Sequence, residues 1–157
     1  MGLRKILTDA EPALHKVCRP VINFDARLHT QLDDMRDTLI DSNGVGLAAP
    51  QVGILKRVVL VDTGDEILEL INPEMIETSG EQTGLEGCLS VPGKYGIVTR
   101  PNYAKVRAQD RNGDWYEVEG EELIARCFCH ELDHLDGIVY TEKVERFLTE
   151  EELESLE

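Results

Sequence analysis

At 157 residues the chain has the length of one domain, large enough to bury a core without staples. Its 41% hydrophobic and 30% charged residues suit a folded globular chain rather than a fibrous or disordered one. The net charge of −15 argues against direct nucleic-acid binding, because it repels phosphate, and the longest uncharged run, Ser42–Leu55, is too short and too rich in Gly and Pro to span a bilayer.

The first residues, "MGLRKILTDA", carry no apolar signal core, and Ile6 stands where a myristoylated N terminus needs Ser or Thr. A cytoplasmic location is therefore expected, and with it four reduced cysteines (Cys18, Cys88, Cys127, Cys129) rather than a disulfide framework. Residues 25–41 place Leu28, Leu32, Met35 and Leu39 at spacings of four, three and four, which predicts an amphipathic helix. "SNGVGLAAPQVG" reads as a Gly-rich loop. Residues 56–62 and 66–72 read as strands, the second ended by Asn72-Pro73. Strand-like segments follow in "EMIETSGEQTG", "YGIVTRP" and "NYAKVRAQD", then a hairpin turn over residues 110–115 centred on Asn112-Gly113. Residues 121–135, "EELIARCFCHELDHL", predict a second helix with Glu in its first turn and Gly137 beyond its end. The tail "EKVERFLTEEELESLE" fits a short, strongly acidic helix. The expected fold is α+β, with antiparallel strands around one central helix and all of residues 1–157 in a single domain.

That central helix carries "HELDH". Residues four apart share a helix face, so His130 and His134 can reach one ion with Glu131 beside them. H-E-x-x-H on a helix is a metal-binding pattern in which the Glu serves as base. The third ligand stays open on this ground. Tyr140 occupies the position where a metzincin has its third histidine. Glu150, Glu151, Glu152 and Glu154 would suit a gluzincin-like site, and Cys88 in "LEGCLSVPG" is the upstream candidate. "GVGLAA" also fits a dinucleotide-binding fingerprint, but it follows a helix and runs into Pro50, which argues against that reading.

Three segments, "GVGLAAPQ" (44–51), "EGCLS" (86–90) and "HELDH" (130–134), resemble in order and spacing the signatures of the peptide deformylases. The resemblance covers nearly the whole chain. It implies a metal-dependent hydrolase that removes the formyl group from N-formylmethionyl nascent peptides and releases formate. It implies Cys88, His130 and His134 as ligands of one divalent ion with a fourth position open to water. Fe2+ is the implied physiological ion, and Zn2+, Ni2+ or Co2+ can replace it. Glu131 is the implied general base, and the Gln51 side chain and the Leu89 backbone N–H the implied oxyanion donors. The methionine pocket would draw on Val45, Gly46, Gly87, Leu123, Cys127 and the His130 ring.

Some positions depart from the family pattern. Cys129 stands where Gln is common. Arg126 and Gly84 stand where some members have apolar pocket residues, which bears on the pocket rim and on substrate preference. Seven Glu against two basic residues in the tail are incompatible with a basic docking helix on the ribosome, so only transient ribosome proximity is expected.

Overall fold

In the computed structural model, residues 2–155 are described. The first long helix, α1 (Ala26–Ser42), starts where Asp25 accepts a hydrogen bond from Leu28 N at 3.0 Å and ends at Asn43 in a left-handed conformation. Its Leu28, Leu32, Met35 and Leu39 are buried, as their spacing predicts.

The strands form two antiparallel sheets. The larger runs β1 (Gly46–Ala48), β2 (Val58–Asp62), β3 (Ile67–Ser79), β6 (Tyr103–Gln109) and β7 (Trp115–Glu121), in spatial order β1-β2-β3-β6-β7. The smaller comprises β4 (Gln82–Cys88), β5 (Val91–Arg100) and β8 (Arg146–Phe147), in that spatial order. Helix α2 (Leu123–Leu135) follows β7, and α3 (Glu150–Glu154) is a short C-terminal helix capped by Thr149.

β2 shows how the layers arise. Successive side chains alternate across a sheet, and its four apolar residues are all buried. Val58 and Leu60 pack with α1, while Val59 and Val61 pack with Ala125, Phe128 and Leu135 of α2. The large sheet is thus covered by a helix on each face, and α2 lies between it and the small sheet. The α+β class, the two long helices and the central place of the metal-motif helix agree with expectation.

Four local readings need correction. Asn72-Pro73 does not end a strand, because β3 continues to Ser79 through a register shift between Ile71 and Glu74. The bulge leaves the proline, which has no N–H, outside the regular ladder. Asn72, at φ 52°, uses its side chain instead, pairing with Val21 N and O and with Gln109. The Gly-rich "loop" contains β1, paired with β2, followed by a 3-10 turn over Ala49–Val52. The β6–β7 turn centres one residue earlier than expected: Gly113 N donates to Asp110 O, and Gly113 takes the left-handed conformation. Helix α2 starts at Leu123, after Glu122 at φ 55°, so its first turn holds no acidic residue.

Candidate metal centre

β4 and α2 together build the site. At the end of β4, Glu86 and Cys88 flank a register shift and both face α2, Glu86 at His130 and Cys88 at His134. On α2, Arg126, His130 and His134 repeat every fourth residue and share the facing side. The ligand atoms of Cys88, His130 and His134 lie within 4.8 Å of one another, the one such trio found among the described residues. Cys88 Sγ is 3.4 Å from His134 Nε2.

The orientation of the His130 ring has an identifiable cause. His130 Nδ1 lies 2.7 Å from Glu86 Oε1, which leaves Nε2 directed at the trio, and the ring stacks on Tyr140 at 5.8 Å between centroids. Glu86 is held in turn. Arg100 donates to it through Nε at 2.8 Å and Nη2 at 2.9 Å, and Arg126 through Nη1 at 2.7 Å. Asp133 takes the remaining face of Arg100 at 2.7 Å. Burial alone raises the Glu86 carboxyl, but the bonds from Arg100 and His130 outweigh it and bring it down to about 2.

The centre favours a cation. Burial disfavours a charged His130, yet the Glu131 charge, Cys88 and Glu86 outweigh it and push the ring up to about 10. The field that holds a proton on this ring also stabilises a metal ion there. Burial and the charge at His130 push His134 down to about 3, leaving it a neutral nitrogen donor. A thiol and two imidazoles form a donor set suited to Zn2+ or Fe2+. Glu131 is buried, its Oε1 has no hydrogen-bond partner among the described residues, and burial lifts its carboxyl to about 7. A buried carboxylate with a free oxygen beside three donor atoms is placed to exchange a proton with a bound molecule.

Cys88 and His130 border a cleft of about 500 Å³, and His134 is buried behind them. The cleft is lined by all of the expected pocket residues, Val45, Gly46, Gly87, Leu123, Cys127 and His130, as well as by Gln51, Leu89 and Glu131. Glycine is required at 46, because a Cβ there would lie 2.6 Å from Glu131 Oε2 and 2.7 Å from Cys127 Sγ. Gln51 is fixed within the 3-10 turn. Its Oε1 accepts from Ala48 N at 2.9 Å, and its Nε2 donates to Ser90 Oγ at 3.1 Å and faces Cys88 Sγ at 3.5 Å. Leu89 N makes no backbone hydrogen bond among the described residues.

None of Glu150, Glu151, Glu152 and Glu154 joins the trio. Glu152 pairs with Arg146 at 2.8 Å on an exposed helix, so the gluzincin-like alternative falls away. His15 and His29 each bond a backbone carbonyl elsewhere. Nothing local in the sequence separates the buried Glu86–Arg100 pair from an ordinary surface pair, or marks Ser90 and Tyr140 as parts of the site. Arg126 lines the cleft, as its place in the family pattern implied, and its guanidinium is buried against Glu86. The i−4 spacing from Arg126 to His130 and the i−2 spacing from Glu86 to Cys88 were the available signals.

A three-donor centre beside a buried carboxylate, open to a cleft, defines a hydrolytic metalloenzyme. The sequence matches the polypeptide deformylase family over residues 3–150. It is 60% identical over 145 residues to the peptide deformylase of Agathobacter rectalis, covering 92% of each chain. It is 57% identical to that of Lachnoclostridium phytofermentans, covering 92% of this chain and 90% of the relative. Among solved structures, the peptide deformylase of Legionella pneumophila superposes with a TM-score of 0.88 at 38% identity, covering 98% of this chain and 95% of the other. The chain belongs to the peptide deformylase family, metal-dependent hydrolases that remove the formyl group from the N termini of new polypeptides.

Proposed function

We propose that Cys88, His130 and His134 hold one divalent ion, Fe2+ in the cell, and that residues 1–157 work as one catalytic domain on N-formylmethionyl ends in the cytoplasm. The observation that carries this reading is the convergence of the three ligand atoms within 4.8 Å, two of them from residues that line the same cleft as Glu131. No described helix is long and apolar enough to cross a membrane.

When bound, the ion supplies Lewis acidity toward a water and the formyl carbonyl. The chain's own residues do the rest. β1 and β4 are outer strands of their sheets and both border the cleft, so an extended peptide can pair along them, with Gly46 admitting its backbone. Val45, Gly87, Leu123, Cys127 and the His130 ring take the methionine side chain. Glu131 accepts a proton as water adds to the formyl carbon, then returns it to the amine nitrogen as the C–N bond breaks, leaving formate and a free N terminus. Gln51 Nε2 and the Leu89 N–H donate to the oxygen that gains charge during addition. The acidic residues from Glu142 to Glu154 disfavour ribosomal RNA, so contact with the ribosome is transient.

Formate release from formyl-Met-Ala-Ser by anaerobically prepared protein loaded with Fe2+ or Ni2+ tests the reading. Release that disappears in Glu131→Ala while the ion is retained is expected, and no release from the loaded wild type overturns it.

A further inference from the structure

Arg126 is the position at which helix α2 departs from an apolar pocket wall, and the structure shows where its charge goes. The side chain is 5% exposed, buried between α2 and the small sheet. Nη1 donates to Glu86 Oε2 at 2.7 Å and to Val98 O at 3.0 Å, tying α2 to β4 and β5 at once. Nη2 points toward Gly84, where a Cβ would lie only 3.4 Å away, so a larger side chain at 84 would press on the guanidinium. The two departures are therefore one arrangement, in which Gly84 provides the space that Arg126 fills.

Glu86 is the point where this arrangement meets the metal centre. Its carboxylate receives four donors: two from Arg100, one from Arg126 and the Nδ1 of His130. Both Glu86 and Arg100 are also buried, at 5% and 6% exposure. The charges of the two guanidiniums balance those of Glu86 and Asp133. Taking Arg126 out leaves a buried carboxylate undercompensated, with Oε2 short of one donor and only Arg100 and His130 left to hold it. A histidine ligand is aimed by the group that accepts its second nitrogen, so any play in Glu86 becomes play in the His130 ring.

We propose that Arg126 is a positioning residue of the metal centre: it fixes the Glu86 carboxylate that aims His130, and Gly84 is the cradle that lets it do so. This rests on the reading of Cys88, His130 and His134 as the ion's ligands. Arg126 also borders the substrate cleft, so the alternative role to be separated is contact with substrate.

The test is the rate at which Zn2+-loaded protein releases its ion to a chromophoric chelator, measured together with KM for formyl-Met-Ala-Ser. Arg126→Met keeps the stem and removes the charge. It is expected to speed release about tenfold with little change in KM. Gly84→Val, which displaces the guanidinium while leaving it in the chain, is expected to act in the same direction. In a Glu86→Gln background, Arg126→Met should add nothing, because the two act in series. The proposal is overturned if both single variants release Zn2+ at the wild-type rate, if the effects of Arg126→Met and Glu86→Gln simply multiply, or if Arg126→Met raises KM without altering release. Should Cys88→Ala hold Zn2+ as tightly as wild type, the reading of the centre itself fails and this proposal falls with it.

Discussion

The two faces of the large sheet are built from different materials. On the α1 side, Leu28, Leu32, Met35 and Leu39 meet Leu47, Val58, Leu60 and Ile71, all apolar and all buried. Contact there is non-directional, and burying each such side chain contributes about 1.5–3 kcal/mol. On the other face α2 also packs apolar residues against the sheet, but its far side turns Arg126, His130 and His134 toward Glu86 and Cys88. Desolvating those groups is costly, and only specific partners offset the cost. The contrast separates two tasks: the α1 face secures the fold with tolerant packing, and the α2 face commits its buried volume to geometry.

Substitutions on the two faces should therefore fail in different ways. The largest effect is expected for Cys88→Ala, which should lose the ion and lower kcat/KM about a thousandfold or more. Metal analysis after gel filtration, paired with formate assays, checks it. Next comes Glu131→Gln, which should lower kcat by about 10²–10⁴ while metal content stays at the wild-type level. Glu86→Gln is expected to weaken metal affinity about 10–100-fold, because it removes the acceptor that aims His130. Competition with a chelator measures it, and an unchanged affinity would mean that His130 needs no such support. On the opposite face, Leu32→Ala should cost about 2–5 kcal/mol in denaturant unfolding, yet leave kcat/KM per folded molecule unchanged. The smallest effect is expected for Asp25→Ala at the α1 N-cap, about 1 kcal/mol in the same unfolding experiment.

What the sequence made legible follows the same division. Periodicity exposed α1, because one strongly apolar stripe faces one partner. It exposed α2 and its histidine pair for a similar reason, since i and i+4 are neighbours by helix geometry alone. The Cys88 ligand needed the family resemblance, because nothing local says that the end of β4 folds onto α2. β1 was hidden because three residues become a strand only through pairing with β2 and through the close approach that Gly46 allows. The passage of β3 through Asn72-Pro73 was hidden because local turn chemistry was overridden by a bulge whose hydrogen bonds come from Val21 and Gln109, remote in sequence. The burial of Arg126 was hidden because the carboxylate that holds its charge lies on another strand, remote in sequence.

X-ray absorption at the edge of a bound Zn2+ tests the central claim most directly, since it counts the atoms around the ion without reference to activity. The account predicts one sulfur at about 2.3 Å, two imidazole nitrogens at about 2.0–2.1 Å and one light atom that exchanges with added small anions. A first shell without sulfur, or one filled by four protein atoms, would contradict it.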